Sequence, residues 1–222
     1  MRIIINNVMA NNMNEVVIFG AASGLGLAMV NYFMSNGVSV IGVARNVEKN
    51  KLSTLCDKTY QCDATDKAQV LNIVESLSKD AIVISTMGSF RADVPVDYIG
   101  HRHLIDALES AGINRFLLVT SLGCGDSWQF MSARSKAGFG HAVREKSLAE
   151  SYLQTSMLDF TILRPGGLKD GEVTNAGDLS QAKEVHGMIT RHEVARLVHA
   201  LLLQDKSKKQ IFECVDPTIV YA

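Results

Sequence analysis

Apolar residues along this chain alternate between short unbroken runs and runs at helical spacing. Val16-Val17-Ile18-Phe19 reads as a buried strand, and the period then changes, with Leu25, Ala28, Met29, Tyr32 and Phe33 falling on one helical face. The same switch recurs. Val38–Ala44 predicts a second strand and Thr59–Cys62 a weaker third, while Val70, Ile73, Val74 and Leu77 predict a helix that Asp66 caps. A fourth strand, Ala81–Ser85, precedes a helix from about Asp97 to Ala111, with Gly112 as its stop. Phe116–Ser121 is the fifth strand, Arg144–Gln154 a helix, and Phe160–Leu163 a sixth strand broken at Arg164-Pro165-Gly166-Gly167. Thr190-Arg191-His192-Glu193 reads as a capping box ahead of Val194, Leu197, Val198 and Leu201, and Ile211–Val215 closes as a seventh strand. This rhythm predicts a single doubly wound Rossmann-type α/β domain over residues 15–222, with a mostly parallel sheet of about seven strands. Residues 1–14, asparagine-rich after Arg2-Ile3-Ile4-Ile5, read as an N-terminal extension, with an added edge strand as one form for it.

Two connections, Leu122–His141 and Lys169–Ile189, are long for such a domain, and both follow strand C-termini, where open α/β sheets bind ligands. They are candidate lids. Trp128, Phe130, Met131 and Phe139 make the first unusually apolar, either as a wall for a flat substrate or as anchors of the loop.

The first strand-to-helix junction carries the clearest chemistry. In Gly20-Ala21-Ala22-Ser23-Gly24-Leu25-Gly26, Gly20 allows a tight turn, Gly24 lets backbone approach a pyrophosphate, and Gly26 lets the helix pack against the sheet. The helix start offers free N–H groups and a partial positive charge to phosphates. The spacing G-x-x-x-G-x-G resembles that of the short-chain dehydrogenase/reductase superfamily. Arg45 directly follows the second strand, where an NAD-specific site carries an acid, and Glu48 comes three residues later. An arginine there pairs with a 2′-phosphate and stacks on adenine, which favours NADP, with NADPH preferred over NADH.

The 222-residue length suits one domain with a real core. A formal charge of −1 with scattered Lys and Arg argues against nucleic-acid or anionic-membrane partners. No run approaches the ~20 apolar residues of a membrane helix. Cys56, Cys62, Cys124 and Cys214 form no C-x-x-C pair and no zinc spacing, so no metal site is expected. They suggest small buried hydrophobes in a reducing, cytoplasmic setting.

Several segments together resemble the atypical short-chain dehydrogenase/reductases with an NmrA-like NAD(P)-binding domain, the group that includes biliverdin reductase B-like flavin reductases. These are Val96-Asp97-Tyr98-Ile99-Gly100, Ala111–Phe116 leading to Thr120-Ser121-Leu122-Gly123, Leu158–Gly167, and Ile189–Ala195. Two departures stand out. The family's glycine motif is more often G-x-x-G-x-x-G, and the Tyr-x-x-x-Lys dyad is missing, since Ala142 precedes Lys146 by four residues and Ser132 precedes Lys136.

The resemblance implies site roles. Ser121 is a catalytic serine contacting substrate or nicotinamide, or else only a turn former. Lys146 binds the nicotinamide ribose, or is a solvated helix lysine. Asp97 stands where atypical members carry an active-site aspartate, or caps its helix. Asp63 and Ala64 meet adenine or form a plain turn. Pro165, Gly166 and Gly167 meet the carboxamide, and Ser85 and Thr86 join Gly20, Ala22, Ser23, Gly24, Leu25, Gly26 and Arg45 as cofactor-binding residues. His141 is a further proton-donor candidate. The implied activity is NADPH-dependent hydride transfer to a small conjugated acceptor such as a flavin, quinone, carbonyl or bilin-like compound, by a monomer or homodimer. A non-catalytic NAD(P)-binding regulator and an epimerase or dehydratase are the alternatives.

Overall fold

Four of the five residues of β1 (Glu15–Phe19) are buried, and their side chains alternate between two cores. Val16 and Ile18 face one core, which α1 (Gly24–Ser35) and α6 (Arg191–Leu202) cover. Val17 and Phe19 face the other, under α3 (Lys67–Glu75), α4 (Val96–Ala111) and α5 (Ala133–Gln154). A strand buried on both faces has no polar alternation, which is why the run reads as continuous apolar sequence. The computed structural model describes Met13, residues 15–89 and residues 94–220, so the N-terminal extension lies almost wholly outside the described residues.

The main sheet has eight strands in the order β3-β2-β1-β4-β5-β6-β10-β8. These are β2 (Ser39–Ala44), β3 (Lys58–Gln61), β4 (Ile82–Ser85), β5 (Arg115–Val119), β6 (Asp159–Pro165), β10 (Gln210–Val215) and β8 (Asp178–Ser180) around β1. All pairings are parallel except β8 against β10. The order reverses between β1 and β4, and there the strand C-termini part to leave a crevice. A small parallel pair, β7 (Gly167–Lys169) with β9 (Met188–Thr190), stands apart.

The doubly wound sheet agrees with expectation, but five local expectations are corrected. The sheet has eight strands, because three-residue β8 adds to the edge without an apolar run of its own. β6 does not break at Arg164-Pro165. Glu213 of β10 lies in register with Arg164 and Cys214 with Pro165, so pairing carries the strand through them. The 122–141 connection is largely helical, with a 3₁₀ turn at Gly125–Phe130 and α5 beginning at Ala133 after Ser132 accepts from the Ser135 amide at 3.1 Å. Pro95, not Asp97, is the N-cap of α4. Short α2 (Leu52–Leu55) adds a helix between β2 and β3 that no apolar period announced.

The 169–189 connection is pinned, not loose. Glu193 does not reach back to complete the capping box, although Thr190 Oγ1 accepts from its amide at 3.1 Å. Its buried carboxylate instead accepts the amides of Thr174, Asn175 and Gly177 at 2.7–3.1 Å and pairs with Arg196 at 2.6 Å. Burial raises its pKa, but these bonds outweigh that and hold the carboxyl below its usual range.

Candidate functional site

A groove of about 1460 Å³ runs over the C-terminal ends of the strands that flank the reversal point. Its floor begins at the glycine turn. Gly20 has φ +88°, a left-handed conformation that glycine adopts without strain, and Thr86 Oγ1 donates to the carbonyls of Phe19 and Gly20 at 3.3 and 3.4 Å. A Cβ on Gly26 would lie 2.1 Å from the Gly20 carbonyl oxygen, so only glycine allows α1 to start this close to the strand. Gly24, at φ +55°, faces open groove, and a Cβ there would find only Arg191 Nε at 3.9 Å. Ser23 makes no side-chain cap and the first turn of α1 holds no acid, which leaves the helix's positive end open to the groove. The open approach at Gly24 and the uncapped helix start fit a dinucleotide's pyrophosphate.

Arg45, Asn46, Lys49, Asp63, Ala64 and Thr65 line one end of the groove. The amide and hydroxyl of Thr65 donate to Asp63 Oδ1 at 3.0 and 2.8 Å, and these bonds hold its carboxyl below the usual range. Asn50 is left-handed at φ 53°, and its Nδ2 donates to the Ala22 carbonyl at 2.8 Å, which ties this end to the glycine turn.

The opposite end holds Met87, Gly88, Thr120, Ser121, Lys146, Pro165 and Gly166. Lys146 Nζ sits 2.7 Å from Asp97 Oδ1 and donates to the Met87 carbonyl at 3.4 Å. Asp97 is 1% exposed and also accepts the Ser89 amide at 2.9 Å. Burial pushes its pKa up, but the Lys146 charge and these bonds outweigh it and lower the carboxyl overall. Behind it, His101 is fully buried, with Nε2 2.9 Å from Ser85 Oγ and Nδ1 2.7 Å from the Asp97 carbonyl. Burial first, then the Lys146 charge, lowers His101 from 6.5 to about 4. Between those values the unfolded chain binds a proton that the folded chain refuses, so stability falls as the pH falls. Going from pH 7 to pH 5 is expected to lower the unfolding free energy by about 2 kcal/mol through this group. Urea titrations at both pH values check it: His101→Asn should remove most of the difference, and an unchanged difference refutes the assignment.

A second cavity of about 700 Å³ adjoins the groove and shares Ser121, Phe139, Pro165 and Gly166 with it. Phe130, Met131, Phe139 and Val185 supply apolar wall, Lys183 and His186 stand at its edge, His186 Nε2 lies 2.9 Å from Glu184 Oε1, and among the described residues no carboxylate lines the cavity itself. The loop aromatics therefore divide their roles. Phe130 and Phe139 line the cavity, whereas Trp128 anchors on α5 between Lys136 and Arg144, at 5.2 and 5.0 Å from their charges. Ser121 Oγ has Cys124 Sγ at 3.6 Å.

Under Thr120 lies a buried ionic cluster. Glu150 accepts from Thr120 Oγ1 at 2.6 Å and from Arg164 Nη2 at 2.6 Å, while Arg164 Nη1 reaches Asp126 at 2.6 Å and Glu213 at 3.3 Å. Burial pushes the Glu213 carboxyl up, and its Oε2 has no hydrogen-bond partner.

The groove thus gathers Gly20, Ala22, Ser23, Gly24, Leu25, Arg45, Asp63, Ala64, Thr86, Ser121, Lys146, Pro165 and Gly166. Five of the expected residues do not line it. Gly26 is a packing position, Ser85 is buried against His101, Asp97 stands behind Lys146, and Gly167 lines the second cavity. His141 is exposed on α5 and lines neither cavity. Lys49, Asn46 and Arg191 do line the groove but were not anticipated. Of these only Arg191 carried a sequence signal, its place just beyond a strand-like Met-Ile-Thr at a helix start.

Comparison with known proteins agrees with this geometry. A family model described as NAD(P)H-binding matches residues 20–205. The solved structure of ChuY, an anaerobillin reductase from Escherichia coli O157:H7, is 42% identical with a TM-score of 0.86, over 94% of this chain and 100% of that one. The uncharacterized sugar epimerase YhfK of Bacillus subtilis is 27% identical over 91% of this chain and 94% of its own. Sanguinarine reductase of Eschscholzia californica is 33% identical, over 51% of this chain and 43% of its own length.

Proposed function

The chain belongs to the NAD(P)H-binding family, and from that membership we propose that it is an NADPH-dependent reductase of a flat conjugated acceptor, in the first place an open-chain tetrapyrrole. One observation carries this reading. The groove opens through Ser121, Phe139, Pro165 and Gly166 directly into a chamber with apolar walls and Lys183 at its edge. A ring system can lie there against the end of a dinucleotide, with its acidic substituents toward Lys183. The 42% identity to an anaerobillin reductase, whose name denotes the bilin class, supports the same acceptor. Arg45 and Lys49, with no acid among the residues lining that end except Asp63, favour a 2′-phosphate and so NADPH.

Bound NADPH supplies the hydride. The chain holds and shields the reactants. Asp97 and the Met87 carbonyl fix Lys146, whose remaining N–H donors address a ribose hydroxyl. Ser121 offers its O–H to a carbonyl or lactam of the acceptor, and Phe130, Met131 and Phe139 exclude water from the ring face. Ala142 occupies the position of the family's tyrosine, so the acceptor's proton comes through Ser121, Lys146 or groove water. Acceptors whose reduction demands little acid catalysis suit such a site.

The same Ala142 favours a second reading, a cofactor-binding regulator without turnover. The decisive measurement is NADPH oxidation with biliverdin, FMN, menadione and simple ketones. Turnover of biliverdin with NADPH ahead of NADH, reduced about 10²-fold in kcat/KM by Ser121→Ala, is expected. Tight NADPH binding with no oxidation by any acceptor establishes the regulator instead.

A further inference from the structure

Arg191 opens α6 and lines the groove beside the glycine turn. Its Nε is buried and has no hydrogen-bond partner among the described residues. The same atom lies 3.9 Å from where a Cβ on Gly24 would stand, across the space in which a pyrophosphate approaches the turn. Its Nη1 donates to Asp170 Oδ1 at 2.7 Å, and that aspartate is 97% exposed. Buried Glu193, two positions on, is already committed to Arg196 and three loop amides and does not serve Nε. A buried N–H without an acceptor is unfavourable, and an anion that reaches it at the Gly24 turn removes that penalty.

We propose that Arg191 is the second half of the pyrophosphate site. The α1 amides hold the phosphates from one side and the Arg191 guanidinium closes on them from the other. A planar guanidinium offers parallel N–H groups that suit two phosphate oxygens, which a lysine cannot supply. Asp170 acts as a stand-in anion. It occupies Nη1 before the cofactor arrives and competes with the phosphates for it. The assignment depends on the cofactor family alone and holds whichever acceptor is reduced.

Titration calorimetry with NADPH, NADH and adenosine 2′-monophosphate tests this without any turnover. Arg191→Gln is expected to weaken both dinucleotides by the same factor, about ten- to hundredfold, as loss of a charge-assisted contact implies. It should leave adenosine 2′-monophosphate, which has no pyrophosphate, unaffected. Arg45→Ala is the contrasting control, weakening NADPH and adenosine 2′-monophosphate but not NADH. Asp170→Asn, a change at an exposed side chain that the fold tolerates, should tighten both dinucleotides about two- to fivefold. Wild-type dissociation constants for both dinucleotides in Arg191→Gln overturn the proposal. So does a loss confined to NADPH, which would move Arg191 to the 2′-phosphate, or weaker dinucleotide binding in Asp170→Asn. Should Arg191→Gln fail to fold, Arg191→Lys, which keeps the charge and loses Nε, and Asp170→Asn decide the matter.

Discussion

Glu150→Ala is expected to lower the unfolding free energy by about 3–5 kcal/mol. Glu150 is 1% exposed and holds the Arg164 guanidinium through Nε and Nη2, at distances down to 2.6 Å. Burial works against the Arg164 charge, but the Glu150 and Asp126 bonds outweigh it and raise its pKa. Without Glu150 that cation keeps only an exposed aspartate and Glu213, whose own carboxyl burial pushes toward the neutral form. The loss corresponds to roughly 6–20 °C in Tm for a chain of this size. Replacing the buried members together, as Glu150→Leu with Arg164→Met and Glu213→Gln, should recover much of it, because the cost lies in stranding one charge. Urea denaturation of the two variants beside the wild type measures both effects. A loss below about 1 kcal/mol in Glu150→Ala means that Arg164 is satisfied without it.

The cluster also bears on the site. Thr120 lines the groove and donates to Glu150, and Asp126 belongs to the 3₁₀ turn that leads into the second cavity. The 121–131 segment that carries Ser121, Phe130 and Met131 is therefore held from beneath by this cluster, beside buried Cys124 and the Trp128 contact with α5. Partial loss of the cluster should loosen the second cavity before it affects the glycine-turn end of the groove.

How much of this was legible followed the kind of force involved. β1, β2, β4 and β5 were readable because strands buried on both faces must be apolar throughout, and α1 and α6 because each has one inward stripe. β8, β7 and β9 were not, since three-residue strands owe their existence to partners distant in sequence. The first half of α5 was hidden by Gly138, Gly140 and a mostly polar surface, and its start is declared only by the Ser132 cap. At the site, the glycine turn could be read from spacing, because backbone sterics dictate it. Asp97 could not be told from a helix cap, because its partner Lys146 is 49 positions away and the pairing is tertiary. Glu193 shows the reverse error: a local motif named its neighbour Thr190 correctly, yet its carboxylate serves another segment.

Gly24 and Gly26, two residues apart, should separate binding from folding when each becomes alanine. Gly24 sits at φ +55° with open groove beyond it, so Gly24→Ala bears mainly left-handed strain of about 1–2 kcal/mol. Its methyl group, however, points into the space between the turn and Arg191 Nε. A pyrophosphate held off by that methyl group loses close contacts to the α1 amides, each worth about 1.5–3 kcal/mol, so NADPH affinity should fall about hundredfold or more. Gly26→Ala acts on the fold. Its Cβ would stand 2.1 Å from the Gly20 oxygen and 2.8 Å from the Gly20 carbonyl carbon, and backbone cannot swing aside as a side chain can. Either α1 shifts away from β1 or the turn opens, at a cost of about 3 kcal/mol or more. Paired urea denaturation and cofactor titration should thus give a folded, poorly binding Gly24→Ala and a clearly destabilised Gly26→Ala. NADPH binding at wild-type affinity in Gly24→Ala would show that the phosphates do not approach the chain at this turn.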